Sequence, residues 1–205
     1  ESRSHIRENR CTGGNQAMRL FVAILLDEAV RAGLERFQSA LKQACDGVRW
    51  VAPHQFHLTA KFLGEVEDRR VTDVSEAVAR AASRAEPFDF ELASAGCFPQ
   101  RGPVRVIWVG SNEPTGRLSS CAEAVEQEME AIGFAREKRP FSAHLTLGRV
   151  REDRSRGAIR AHVQSCSFGP VTQSVGSLTL MSSVLSPKGP TYTPVSTANF
   201  GQATE

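Results

Sequence analysis

The chain has 205 residues, 40% of them apolar and 23% charged, with 16 Gly and 10 Pro. This is ordinary globular composition, and it excludes a disordered chain, a collagen-like repeat and a disulfide-stapled miniprotein. The formal net charge of +2 gives no strong field toward a polyanion. The basic residues are mostly Arg, with lysine only at Lys42, Lys61, Lys138 and Lys188. The longest apolar run, from Leu20 to Leu26, has strand length, far short of the roughly 18 residues a membrane span needs. No secretory signal is visible. Cys11, Cys45, Cys97, Cys121 and Cys166 are odd in number, scattered and without a C-x-x-C pair. That argues against a disulfide framework or structural zinc and for a reducing, cytoplasmic compartment.

Residues 1–17 are polar and aperiodic, and read as a flexible leader or an expression remnant; the folded part is expected to begin near Met18. Residues 19–26 read as a buried strand. A helix follows from Glu28 to about Cys45, N-capped by Asp27, with Val30, Leu34, Phe37 and Leu41 on one face. Residues 48–51 are extended, Pro53 breaks the chain, and residues 56–62 alternate as a strand closed by Gly64. Val71, Val74, Val78 and Ala82 mark a second helix. Phe88, Phe90 and Leu92 alternate as a strand, Gly96-Cys97-Phe98-Pro99 reads as turn chemistry, and Val104, Val106 and Trp108 as another strand. A third helix follows Pro114 and stops at Gly133. Residues 141–149 and 177–185 are strands, and 151–160 a charged connection. A last extended piece follows Pro187-Lys188-Gly189-Pro190. Mixed strands and helices of this kind indicate an α+β fold rather than a doubly wound parallel sheet. The G-x-G-x-x-G and Walker A signatures are absent.

The chemistry resides in a repeated tetrapeptide. His57-Leu58-Thr59-Ala60 and His144-Leu145-Thr146-Leu147 both read His-x-Thr-x, each inside an expected strand. In a strand, residues i and i+2 share a face, so each segment presents an imidazole and a hydroxyl opposite its core leucines. An imidazole with a pKa near 6.5 gives or takes a proton near neutrality. Two of them across a cleft serve as acid and base in one step, and Thr hydroxyls hold a charged oxygen between them. Two histidines without a third ligand make a poor transition-metal site, so no metal and no cofactor is expected. Attack on a phosphodiester fits this set better than acyl transfer. A single His-x-Thr occurs often by chance; two copies in equivalent contexts carry much more weight. By parity Lys61 joins His57 and Thr59. Arg149 has the parity of Leu145 and Leu147, and reaches the site only if the strand bulges or ends by Gly148. Core packing is the favoured use of Phe21 and Tyr192, and a surface or capping role that of His54.

These residues and their flanks resemble the two-histidine (2H) phosphoesterases, specifically the bacterial and archaeal RNA 2',3'-cyclic phosphodiesterases historically called 2'-5' RNA ligases. The likeness runs through Met18-Arg19-Leu20-Phe21-Val22-Ala23-Ile24, Arg49-Trp50-Val51, the two His-x-Thr-x blocks with their flanks, Phe98-Pro99, Trp108-Val109-Gly110 and Leu180-Met181-Ser182-Ser183. Ala60 stands where the family commonly has a larger apolar residue, and Ala143 where it commonly has Pro.

The resemblance implies a bilobal α+β fold: two antiparallel sheets flanking a central cleft, helices outside, the lobes interleaved within one domain over residues 18–205. It implies metal-independent hydrolysis of RNA 2',3'-cyclic phosphate ends to 2'-phosphates, with a weak reverse 2'-5' ligation. His57 would be proton donor and His144 proton acceptor, with Thr59 and Thr146 binding phosphoryl oxygens; Lys61 and Arg149 are further candidates for substrate binding. The expected partners are RNA ends or nucleotides carrying a 2',3'-cyclic phosphate, with no membrane and a monomeric chain. Two other readings stand beside this one: an RNA- or nucleotide-binding module with little catalysis, and a phosphodiesterase for another small cyclic or 2'-5' linked nucleotide.

Overall fold

The computed structural model describes residues 17–111, 114–187 and 189–201. Of the expected leader, residues 1–16 lie outside this range, while Ala17 opens the first strand. In chain order the elements are β1 (Ala17–Leu25), α1 (Glu28–Lys42), β2 (Val48–Trp50), β3 (His57–Glu67), α2 (Val71–Ser83), β4 (Phe88–Phe98) and β5 (Val106–Ser111). Then follow α3 (Arg117–Ala131), β6 (His144–Val150), α4 (Ala158–Ser165), β7 (Val171–Val175), β8 (Ser177–Ser186) and β9 (Gly189–Asn199). Single 3-10 turns cover Pro53–Gln55 and Asp68–Arg70.

The strands form two antiparallel sheets, one in the order β3-β1-β8-β9 and the other β2-β6-β5-β4-β7. This is the expected α+β architecture. The helices cross between the sheets. Helix α1 leaves the first sheet and packs on β7 of the second, whereas α3 leaves the second sheet and packs on β3 and α2. The main core joins both lobes, with Leu20, Val22, Leu34, Leu58, Leu92, Ile107, Leu145, Leu147 and Leu180 all fully buried in it. Burying such side chains contributes about 1.5–3 kcal/mol each.

Several boundaries move for local reasons. Asp27 occupies the N-cap position of α1, but its side chain makes no cap bond. Its Oδ2 accepts from the Ser174 amide at 3.4 Å, and its own amide donates to Gln173 Oε1 at 2.9 Å, so it ties α1 to β7 instead. β7 is a strand that the periodicity does not predict. Gly96, read as turn chemistry, lies inside β4. A Cβ there would sit 2.5 Å from the Trp108 indole, so the glycine is needed for the close approach of that ring. Gly133 (φ +89°) stops the third helix as expected.

Candidate active site

β3 and β6 carry the two His-x-Thr segments, one in each sheet, and the two strands approach each other. On β3, Leu58 is fully buried while Thr59 is exposed, and on β6 Leu145 and Leu147 are fully buried while His144 and Thr146 are half-buried. The alternation thus turns His and Thr of each pair away from the core, as the period of two requires. On the first sheet this outer face carries a separate small cluster, Phe21, Ala23 and Met181 with Tyr192 against it.

The two imidazoles are held in the same manner. His57 Nδ1 lies 2.7 Å from the carbonyl oxygen of Gln55, and His144 Nδ1 lies 2.8 Å from that of Ser142, in each case two residues upstream. A carbonyl only accepts, so each Nδ1 carries the proton and each neutral ring presents Nε2 as its base. Each ring is also packed on aromatics. His57 sits 4.8 Å from Phe21 and 5.1 Å from Tyr192, and His144 meets Phe98 edge-on at 5.2 Å. Phe98 in turn stacks on Trp108, whose indole lies over Gly96 and Gly110. Phe21 and Tyr192, expected in the core, instead buttress the first histidine on the face away from it.

Two β-bulges decide the remaining side chains. In β1–β3, Ala23 pairs Thr59 and Val22 pairs Lys61, which leaves Ala60 as the extra residue. Lys61 is thereby rotated to the face of Val22, the core face. Its Nζ is 2.5 Å from Glu126 Oε2 on α3 and donates to the Ala135 carbonyl at 2.9 Å, with the side chain only 4% exposed. Lys61 therefore does not join His57 and Thr59. The strict parity behind that expectation fails at the bulge, and the partly buried Glu126 carboxylate captures the amine.

In β5–β6 the bulge has the opposite effect. Trp108 pairs Thr146, Ile107 pairs Gly148 and Val106 pairs Arg149, so Leu147 is the extra residue. Arg149 returns to the face of Trp108 and Thr146 and is exposed there. Its charge reaches His57 and Tyr192 of the other sheet. Burial pulls the His57 imidazole below its ordinary value; the bond to Gln55 pulls it up, and the positive charge of Arg149 lowers it again. Burial raises the Tyr192 phenol, which keeps it a neutral donor.

Arg49 was not among the expected site residues. It pairs directly with Arg149, so both guanidiniums stand on one face. A Cβ on Gly189 would lie 3.1 Å from the Arg49 guanidinium, which places that side chain against the start of β9. Like charges opposite each other in a sheet repel, and an anion between them removes the penalty. The signal in the sequence was the alternation of Arg49 with the core-facing Val48 and Trp50. Gln55 Nε2 also donates to the Pro190 carbonyl, so the β8–β9 hairpin touches the loop before β3. His54 is exposed, in agreement with its bland reading. Among the described residues no three His, Cys, Asp or Glu side chains are grouped to hold a metal, and no helix is long and apolar enough to cross a membrane.

Comparisons with known proteins identify the family. The family model described as LigT like Phosphoesterase matches residues 24–108 and again 109–192, one match containing each His-x-Thr segment. The RNA 2',3'-cyclic phosphodiesterase of Archaeoglobus fulgidus is 36% identical over 178 residues, 85% of this chain and 96% of the relative. That of Thermus thermophilus is 36% identical over 181 residues, 86% of this chain and 87% of the relative. Among solved structures, TT0787 of Thermus thermophilus superposes with a TM-score of 0.73 at 30% identity, covering 90% of this chain and 98% of its own. E. coli LigT complexed with 3'-AMP gives 0.71 at 25% identity, covering 91% of this chain and 100% of its own. With the fold and nearly the whole length in agreement, the chain belongs to the LigT-like phosphoesterase family.

Proposed function

We infer that this chain is an RNA 2',3'-cyclic phosphodiesterase, which opens a terminal cyclic phosphate to a 2'-phosphate. One observation carries the reading. Two imidazoles, one from each sheet, are fixed through Nδ1 to a carbonyl and present Nε2 on faces shared with Thr59, Thr146 and Arg149. The curated relatives bear the same activity in their names.

The step follows from these parts. His144 Nε2 takes a proton from water as its oxygen attacks phosphorus. The P–O3' bond breaks, and His57 delivers its Nε2 proton to the leaving 3' oxygen. Arg149, with Arg49 opposite, neutralises the charge that grows on the non-bridging oxygens, and the Thr59 and Thr146 hydroxyls donate to them. The donor must be charged before it acts. In the free protein burial and Arg149 both disfavour a charged His57, and an arriving phosphodiester anion reverses this balance. With an RNA 5' hydroxyl in place of water, the same attack forms the P–O5' bond, breaks P–O3' and joins two ends through a 2'-5' linkage, so a weak 2'-5' ligation belongs to this reading. From Ala17 onward the chain acts as one bilobal domain, a cytoplasmic monomer; the exchange of α1 and α3 between sheets supports the single domain.

The test is turnover of 2',3'-cyclic CMP and of a short RNA with a cyclic end, in excess chelator. Sustained hydrolysis to the 2'-phosphate is expected, and full loss on chelation would overturn metal independence. Tight nucleotide binding without hydrolysis of either substrate would leave the binding-module reading in its place.

A further inference from the structure

Helix α1 turns Val30, Leu34, Phe37, Gln38 and Leu41 into the core, and Gln38 is the one polar side chain among them, with no exposed surface. Its Nε2 donates to two carbonyls, that of Val51 at 2.7 Å and that of Leu147 at 3.0 Å. Its Oε1 is buried and has no partner among the described residues. An apolar side chain would avoid the cost of that unpaired oxygen, so packing alone does not account for an amide here.

The two carbonyls belong to one rung of the second sheet. The Val51 amide donates to the Leu147 carbonyl at 2.9 Å, which extends the β2–β6 pairing of Arg49 with Arg149 and Trp50 with Gly148. This rung lacks the support of a regular ladder on either side. Leu147 is the extra residue against β5, and beyond Val51 the chain leaves the sheet for the turn at Pro53–Gln55. Two pairs away, Arg49 and Arg149 share a face and repel. Without an extra residue held at 147, regular pairing from Thr146 would carry Arg149 to the face of Leu145 and Leu147, since one residue of register exchanges the faces.

We propose that Gln38 is a positioning residue for the reaction: its amide clips Leu147 to Val51 and so keeps Arg149, with Arg49 opposite, on the face of the histidines. This rests on the reading of Arg149 given above. The two hydrogens of one NH2 group bridge two strands, which neither a hydroxyl nor an apolar side chain at position 38 can do.

The experiment compares the native protein with Gln38→Met, Gln38→Asn, Arg149→Met and the double variant Gln38→Met/Arg149→Met, by turnover of 2',3'-cyclic CMP and by NMR titration of His57. Met keeps the length and helix propensity of Gln but donates nothing, and Asn keeps the amide but draws it back by one methylene. Gln38→Met and Gln38→Asn should each lower kcat/KM about 10-fold, a part of the loss of about 10²-fold expected for Arg149→Met. In the Arg149→Met background the further change Gln38→Met should cost less than about two-fold, because the side chain it positions is gone. The His57 midpoint should rise in Gln38→Met, in the direction expected when Arg149 is removed. The same factor lost in both backgrounds, an unmoved His57 midpoint, or failure of both single variants to fold would each make Gln38 a structural residue and overturn the proposal. An inactive native protein, or native-like activity in Arg149→Met, would instead sink the reading on which the clip rests, and the His57 midpoint would still decide whether Gln38 holds Arg149 in place.

Discussion

Strands β3 and β6 begin with the same His-x-Thr segment and the same hold on the imidazole, yet they place the basic residue that follows on opposite faces. In β3 the extra residue is Ala60, and Lys61 turns into the core against Glu126. In β6 it is Leu147, and Arg149 turns out beside Thr146, where its charge reaches His57. A bulge shifts the face of everything beyond it by one residue, so an identical motif yields a structural cation in one lobe and a cation facing the histidines in the other. The lysine's amine is matched by a carboxylate and a carbonyl within the fold. The arginines at 49 and 149 instead face each other without compensation from their pairing.

This contrast can be pressed from either side. The largest effect is expected at the two histidines: His57→Ala and His144→Ala should each lower kcat/KM by about 10³-fold or more with the melting temperature kept, as general acid–base groups contribute about 10²–10⁴. Near-native turnover in either would remove that strand from the chemistry.

Next, Lys61→Met should lower stability by about 3 kcal/mol in urea unfolding, because it leaves the largely buried Glu126 carboxylate without its cation. A second change, Glu126→Leu, should recover most of that loss, and activity per folded molecule should stay within a few-fold of native. A specific collapse of kcat without loss of stability would return Lys61 to the site. Arg149→Met should do the reverse, with stability nearly unchanged and kcat/KM down about 10²-fold, the size expected for one donor to a developing oxyanion.

The smallest effect is spectroscopic. His57 should titrate below 6.5 in an NMR pH series, because burial and Arg149 both disfavour its charged form. Arg149→Met removes the second of these, so the His57 midpoint should move up, though not fully, since burial is the larger cause. No upward movement would show that Arg149 does not face His57.

Much of this was legible before any coordinates. The helical face of Val30, Leu34, Phe37 and Leu41 is buried in α1, and Leu58, Leu145 and Leu147 occupy the core opposite their histidines. Such patterns are local, because hydrophobic period alone chooses which side of an element is covered. Periodicity ends β4 too early because Gly96 resembles a turn residue, when its role is to admit the Trp108 ring from the neighbouring strand.

Sequence by itself determined the α+β alternation, the two His-x-Thr pairs and the chemistry those side chains can perform. These follow from residue types and a period of two. Tertiary structure decided which cation faces the histidines, that Phe21 and Tyr192 back His57, and that Arg49 stands opposite Arg149. Each of those depends on strand register and bulges, which are set by pairing between segments far apart in the chain and leave no trace in local periodicity.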